Sequence, residues 1–264
     1  MAKHPSVLFE IIRKGNTVPH YIFGTMHMDN EDAFTHVETA IIYLKKCDFY
    51  YAEMNLDARG LSEIGNYFLL KNGTTLDQIF KRNHYVRIKK ILLKSFGIDL
   101  AHFIHLIPFY IQTLIAEKAL NSRHGLPLDH FLWQKALESG KNMGGVETFE
   151  DQIGILQQIP MEIQIKSLRT ICKNISVYSK QLKLLSSAYK NKDIKSIYTL
   201  SKKQLGGLKK LMLYDRNEKM VRSINEKCGE SSSFFAVGAA HLYGSKGILN
   251  VLKSEDFKVR PVFS

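Results

Sequence analysis

The chain has 264 residues, 45% of them hydrophobic, and a formal net charge of +12. This composition excludes a disordered or low-complexity chain and predicts a well-filled hydrophobic core. The longest apolar stretch, residues 103–116, is shorter than the roughly 20 apolar residues of a membrane-spanning helix. Since the N-terminal residues lack a signal-peptide pattern, we expect a cytoplasmic protein as given, with export by a specialised secretion system as the alternative.

The chain opens with a predicted β-hairpin. Residues 7–12 and 21–23 are rich in β-forming side chains, and Lys14-Gly15-Asn16 between them supplies turn residues. The second strand runs directly into Gly24-Thr25-Met26-His27, after which apolar residues recur at helical spacing from Asn30 to Leu44. A further strand-like stretch, residues 48–53, completes this first unit.

The same order of elements returns at the end of the chain. There, a strand-like run over residues 234–237 precedes Gly238-Ala239-Ala240-His241, which is followed by a short helical pattern and a strand-like stretch over residues 256–261. Residues 1–60 and 229–264 therefore form two paired repeat units of strand, Gly-x-x-His, helix and strand. In one parallel sheet, both histidines would lie at the carboxyl ends of their strands, where open α/β sheets bind ligands.

The segments between the repeat units, residues 61–141 and 153–228, are predicted to be mainly helical insertions. We expect helices over residues 61–70, 85–96, 103–120 and 128–137, a short strand over 142–146, and a helix over 149–159 that Thr148 caps and Pro160 ends. Residues 161–228 read as helix with breaks near 190–193 and at Gly206-Gly207. The predicted fold is a single α/β domain over residues 1–264, with a central mixed, largely parallel sheet.

Two compositional features bear on partners and compartment. The stretch that begins at Lys166 and ends at Lys210 holds twelve Lys or Arg residues and one acidic residue. It is either a solvated face of helices or a patch for an anionic partner or membrane surface; nucleic acid is disfavoured because aromatic residues are few there. Three scattered cysteines fit a reducing compartment better than a disulfide framework, and they are Cys47, Cys172 and Cys228.

Glu53 is the carboxylate expected to join the two histidines. It ends an apolar strand-like run, where a carboxylate is rarely left unless it is paired or bound to a metal. The equivalent position of the second unit is Pro261, so only the first unit provides an acid. His27, His241 and Glu53 predict a hydrolytic metal site with an open position, whereas the alternative for Glu53 is a solvent-facing strand residue.

A second cluster follows the predicted strand at residues 142–146. Glu147 is the acid expected in the site, as general base or as an orienting residue, because acids in a first helical turn are favoured by the helix dipole alone. Gln152 would contribute an amide. Arg216, within a later helical segment, would stabilise a developing oxyanion or bind a substrate carboxylate. Gly24 and Gly238 would permit close approach of the backbone to a ligand.

Taken in chain order, these residues resemble the TraB/PrgY/GumN family, which includes the Tiki metalloproteases. The resemblance is carried by the segments 23–27, 52–53, 128–136, 140–148 with Gln152, 216–217 and 237–247. It implies an α/β fold related to the erythromycin esterase and ChaN-like groups, and a site built from both Gly-x-x-His motifs and a glutamate. For Tiki-like members it also implies a divalent metal, with manganese or cobalt expected as much as zinc.

The leading hypothesis is a metal-dependent hydrolase that acts on peptide bonds. Two alternatives remain open at the level of sequence. One is a protein without turnover, in which the same pocket binds a ligand or haem, since tyrosine and histidine ligate haem. The other is a metal-independent esterase that acts on a small-molecule substrate, in which histidine serves as the base for water.

Overall fold

The computed structural model describes residues 5–56, 65–120 and 123–263. The chain divides into two compact units, a sheet unit of Met1–Leu56, Arg123–Ile155 and Leu184–Ser264 and a helical unit of Asp57–Ser122 and Leu156–Lys183. The helical unit is smaller than the predicted insertions, because residues 123–141 and 184–228 belong to the sheet unit. Every residue proposed for the site lies in the sheet unit.

The described residues form one six-stranded sheet in the order β4-β3-β5-β2-β1-β6. Its strands are β1 Leu8–Arg13, β2 His20–Thr25, β3 Phe49–Met54, β4 Asn142–Glu147, β5 Ser233–Gly238 and β6 Phe257–Pro261. β1 pairs antiparallel with both β2 and β6, whereas the pairs β2–β5, β3–β5 and β3–β4 are parallel. The predicted opening hairpin and the mixed, largely parallel sheet are both confirmed.

The two repeat units meet at the centre of the sheet but are not symmetric. β2 and β5 are parallel neighbours, with Thr25 opposite Gly238. Both Gly-x-x-His motifs therefore lie at the carboxyl ends of adjacent strands. β3 of the first unit lies beside β5, whereas β6 of the second unit lies beyond β1. Because the hairpin strand β1 occupies the place next to β2, Pro261 lies opposite Phe9 on an edge strand, far from its counterpart Glu53.

The described α-helices mostly follow the predicted pattern. They are α1 Glu31–Phe34, α2 Val37–Lys45, α3 Leu76–Ile79, α4 Arg82–Phe96, α5 Pro108–Ala119, α6 Leu128–Glu138, α7 Phe149–Gln157, α8 Met161–Lys173, α9 Ile175–Lys190, α10 Ile194–Leu205, α11 Asp215–Lys227 and α12 Ile248–Ser254. Short 3-10 turns occur at Lys71–Gly73, Leu100–Phe103, Gly206–Leu208 and Ala239–His241, and Lys210–Tyr214 is a π-helical turn. None of these helices is long and apolar enough to cross a membrane.

Two predicted helices depart from the prediction for local reasons. The segment after the first motif forms two helices, α1 and α2, with Asn30 capping the first. The helix expected over residues 103–120 begins only at Pro108, because proline lacks the N–H that an earlier turn would need and is favoured at the first helical position. Residues 61–64 of the expected helix over 61–70 lie outside the described residues.

Helices cover both faces of the sheet. On one face, Phe23, Tyr50 and Phe234 pack with residues of α2, α6 and α10. On the other face, Ile22 and Phe235 pack with α11 and α12. Adjacent strand residues such as Phe234 and Phe235 are thus both buried, which explains why the central strands read as continuous apolar runs. All three cysteines are buried as free thiols.

Candidate active site

Glu53 is the point at which β3, β5 and α11 meet. Its Oε2 accepts a hydrogen bond from the Gly238 N–H at 2.6 Å, and its Oε1 accepts one from Nη2 of Arg216. Burial alone would raise the pKa of this carboxyl, but the charge of Arg216 and the hydrogen bonds from Arg216 and the Gly238 N–H outweigh burial and lower the pKa to about 2. Glu53 is therefore an ionised carboxylate at the carboxyl end of β3, with 27% of its side chain exposed.

Arg216 links Glu53 to a second, fully buried carboxylate. Its Nε donates to both oxygens of Glu147, at 3.1 and 3.2 Å, and Nη2 also donates to Glu147 Oε2. Gln152 Nε2 donates to the same oxygen at 3.2 Å. Only 1% of the Glu147 side chain is exposed, and burial raises its pKa despite the hydrogen bonds from Arg216. This geometry favours the orienting role for Glu147 over that of a general base in contact with substrate.

His241 lies in the 3-10 turn that directly follows β5. The residue is only 6% exposed, and its Nδ1 lies 2.5 Å from Oδ1 of Asn217 on α11. Burial, followed by the charge of Arg216, lowers the pKa of this imidazole to about 4. The ring is consequently neutral at physiological pH, which is the form that binds metals.

His27 leaves the end of β2, the strand next to β5, but its environment is different. Its side chain is 58% exposed, and Nδ1 lies 2.8 Å from Oδ2 of Asp129. Asp129 belongs to the first turn of α6. The second motif histidine is thus buried behind an amide, whereas the first is exposed and held by a carboxylate.

Two motif glycines serve close packing in this structure. A Cβ at Gly24 would lie 2.7 Å from Cδ1 of Leu242 and 3.0 Å from Cβ of Ala239, both from the turn after β5. A Cβ at Gly238 would lie 3.0 Å from Oε2 of Glu53 and 3.3 Å from Cδ2 of His241. Glycine at position 238 therefore allows Glu53 and His241 to approach each other over the strand end.

The predicted metal ligands are only partly assembled. Glu53 and His241 meet at Gly238, and His27 lies at the end of the adjoining strand, but no three His, Cys, Asp or Glu side chains in the described part of the chain are gathered closely enough to hold a metal ion. The chemistry of the donors nevertheless suits a divalent cation, because two imidazoles and an ionised carboxylate are common ligands of zinc and manganese.

Sequence reasoning assigned no role to Asp129 and Asn217, although each contacts a motif histidine. Both positions fall within segments that carry the family resemblance, and Asn217 directly follows Arg216. No periodicity or spacing could have identified them, since Asp129 lies 102 residues from its histidine and Asn217 lies 24 residues from its own.

Comparisons with known proteins identify relatives of the chain. The chain is 24% identical to metalloprotease TIKI2 of Danio rerio, over 96% of this chain and 60% of that protein. It is 23% identical to metalloprotease TIKI1 of Homo sapiens, over 91% of this chain and 59% of that protein. The chain thus spans about 60% of the length of these curated relatives. No solved structure matches it significantly. The model of the TraB/PrgY/gumN family matches residues 7–261, and the chain belongs to this family.

Proposed function

We propose that this protein is a metal-dependent hydrolase that cleaves peptide bonds. Its active site would lie at the carboxyl ends of β3, β5 and β2. The observation that carries the proposal is the meeting of Glu53, His241 and Arg216 around Gly238. An ionised carboxylate, a neutral imidazole and a fixed guanidinium at the carboxyl ends of adjacent strands are groups that can support hydrolysis of an amide. The relatives' name, metalloprotease, supports a peptide as the substrate class.

In this proposal, His27, Glu53 and His241 hold the divalent cation, which is manganese, cobalt or zinc. When bound, the cation would supply Lewis-acid activation of the scissile carbonyl and of water. Each Glu53 oxygen already accepts one hydrogen bond, but a carboxylate offers about four lone-pair sites in total. One lone pair on each oxygen therefore remains for a cation, so the bonds to Arg216 and Gly238 are compatible with metal binding.

Arg216 is proposed to stabilise the oxyanion that develops on the substrate. Its guanidinium is held by Glu147 through Nε and Nη2 and by Glu53 through Nη2. A donor that is already oriented needs no reorganisation during the reaction, which is the main source of its electrostatic benefit. In this proposal Glu147 holds the guanidinium of Arg216 in place, and Gln152 supports Glu147 by donating to its Oε2.

The pKa of His241 bears on the metal-independent alternative. A general base works best when its pKa is near the operating pH, whereas burial lowers the pKa of His241 to about 4. Such an imidazole is a weak base at neutral pH but remains a good ligand. This property favours the metal-dependent proposal over an esterase that relies on His241 to deprotonate water.

The proposal is tested by metal content and peptide hydrolysis of the purified protein and four variants. We expect the wild type to bind one cation after loading with manganese, cobalt or zinc and to lose hydrolysis reversibly with a chelator. His27→Ala, His241→Ala and Glu53→Gln should lose cation and activity together. His102→Ala is the control, since His102 is an exposed histidine of the helical unit.

Absence of bound cation under every loading condition, or unchanged hydrolysis by His241→Ala, would refute the proposal. Hydrolysis that survives chelation would favour the esterase instead. A haem absorbance band after reconstitution, without cleavage of a peptide library, would favour the binding protein without turnover.

The basic stretch from Lys166 to Lys210 is proposed to attract an anionic partner or membrane surface. Intramolecular acids neutralise some of it, since Lys190 pairs with Asp32 at 3.4 Å and Lys210 with Asp215 at 2.8 Å. Binding to vesicles with anionic lipid should then weaken steeply with added salt. Equal binding to neutral and anionic vesicles would contradict this part of the proposal.

A further inference from the structure

Both motif histidines are held through the same ring atom by a side-chain oxygen from a helix. Nδ1 of His241 lies 2.5 Å from Oδ1 of Asn217 on α11, and Nδ1 of His27 lies 2.8 Å from Oδ2 of Asp129 on α6. The two helices cover opposite faces of the sheet. The common contact is therefore not a consequence of one local packing arrangement.

The tautomer of His241 follows from the second hydrogen bond of Asn217. Nδ2 of Asn217 donates to the carbonyl oxygen of Lys246 at 2.7 Å, so the amide oxygen must be the atom that faces the imidazole. An amide oxygen only accepts hydrogen bonds. Nδ1 of His241 must then carry the proton, and the lone pair of the neutral ring lies on Nε2.

The same reasoning applies to His27, since an ionised carboxylate has no proton to donate. When its ring is neutral, His27 donates Nδ1–H to Asp129 and has its lone pair on Nε2. The Oδ1 atom of Asp129 is buried without a hydrogen-bond partner among the described residues. The contact of this carboxylate with His27 is thus its principal polar interaction in the described structure.

We infer that Asp129 and Asn217 are positioning residues that hold His27 and His241 as Nδ1–H tautomers and direct both Nε2 atoms to a divalent cation. This inference rests on the proposed metal-dependent function. Histidine ligands of metals commonly donate their other ring N–H to a carboxylate or carbonyl oxygen, which fixes the ring and its tautomer. Loss of such a partner typically weakens metal binding by about 10–100-fold.

The first test reads the tautomers without metal or substrate. Long-range 1H–15N spectra of the apo protein distinguish the two nitrogens of each imidazole, and resonances are assigned with His27→Ala and His241→Ala. We expect the Nδ1–H form for both histidines near pH 8. His36 is the internal reference for the opposite form, because its Nε2 faces the carbonyl oxygens of Tyr189 and Lys190 and must donate to them.

The second test measures cation affinity by competition with a chelator, using manganese and zinc alone. Asp129→Ala should change the tautomer signature of His27 and weaken binding about 10–100-fold, and Asp129→Asn should recover part of the affinity because its amide oxygen can still accept. The matched control is Asp151→Ala, which also removes a first-turn acid of a helix, one that bonds Lys219 and Thr148 instead of a histidine.

Asn217 is tested in the same way, with a control on its own helix. Asn217→Ala should alter His241 alone, whereas Asn225→Ala removes an amide of α11 that bonds Arg13 and should leave both histidines unchanged. Asn217 is 1% exposed, so its variant can unfold. The wild-type spectrum reports the tautomers of both histidines without any variant of Asn217.

Nε2–H tautomers for His27 and His241 in a protein that binds the cation would overturn the positioning inference and leave the proposed function intact. Affinities of Asp129→Ala and Asn217→Ala equal to the wild type would do the same. Expected tautomers in a protein that binds no cation would instead refute the proposed function, and with it the ligand role of the two Nε2 atoms.

Discussion

Arg216 holds the buried carboxylate of Glu147 with hydrogen bonds from Nε at 3.1 and 3.2 Å. Glu147 is 1% and Arg216 11% exposed in their side chains, so neither charge is hydrated by bulk water. Each charge therefore depends on its partner. Removal of only one member of the pair should destabilise the folded protein. The same guanidinium also reaches Glu53, so its position is coupled to the proposed catalytic edge.

Glu147→Ala should lower the free energy of unfolding by about 3 kcal/mol, because it leaves the Arg216 cation buried with Glu53 as its remaining carboxylate partner. Urea denaturation at pH 7 measures this value. Glu150→Ala, an exposed acid in the next helix, should change it by less than about 0.5 kcal/mol. Equal effects of the two substitutions would show that the buried pair contributes little.

His20 should make the fold sensitive to mild acid. The residue is 1% exposed, neither ring nitrogen has a hydrogen-bond partner among the described residues, and burial followed by Arg13 lowers its pKa from 6.5 to about 4. Between these values the unfolded chain binds a proton that the folded chain does not. Stability contributed by the neutral ring is thus present above pH 6.5 and is lost as the pH falls to 4.

The pKa difference of His20 between the unfolded and folded chain corresponds to about 3 kcal/mol of unfolding free energy. The contribution of His20 is measured by urea unfolding of the wild type and of His20→Leu at pH values from 7 to 4. All other titrating groups are common to the two proteins. We expect the wild type to lose about 3 kcal/mol more than the variant over this range. Parallel profiles for the two proteins would contradict the burial of a neutral imidazole.

Two fully buried tyrosines form a matched pair. Tyr189 donates its hydroxyl to the carbonyl oxygen of Gly24 at 2.7 Å, whereas the hydroxyl of Tyr50 has no hydrogen-bond partner among the described residues. Tyr189→Phe should cost about 1–2 kcal/mol of unfolding free energy because it leaves that carbonyl unsatisfied. Tyr50→Phe should be neutral or stabilising. Thermal and urea unfolding compare the two variants. A larger loss of unfolding free energy for Tyr50→Phe than for Tyr189→Phe would contradict the hydrogen bonding described for the two hydroxyls.

Gly238→Ala should weaken cation binding about 10–100-fold, since the added Cβ would lie 3.0 Å from Oε2 of Glu53 and displace this carboxylate. Chelator competition measures the affinity. The control is Gly154→Ala in α7, where a Cβ meets nothing within 4 Å. That variant should leave the affinity unchanged and stabilise the helix by about 0.5–1 kcal/mol. Wild-type affinity in Gly238→Ala would argue against Glu53 as a ligand.

Much of the fold was accessible from local patterns. The apolar runs before Gly24 and Gly238 predicted strands of one parallel sheet, which are β2 and β5. Thr148 was correctly expected at the start of α7, where its Oγ1 accepts from the Asp151 N–H at 3.1 Å. These features depend on residues close in sequence. The place of β6 beyond β1 was not predictable in this way, because strand order depends on which edge remains available after the hairpin has formed.

For the candidate site, sequence by itself determined the chemical types and the sheet edge: two Gly-x-x-His motifs, Glu53, Glu147 and Arg216. Tertiary structure alone decided how they pair. It placed Arg216 between two carboxylates that are 94 residues apart in the chain, and it gave each histidine its own helix-borne oxygen. Burial, hydrogen-bond direction and tautomer arise from contacts between segments distant in sequence, so no local pattern encodes them.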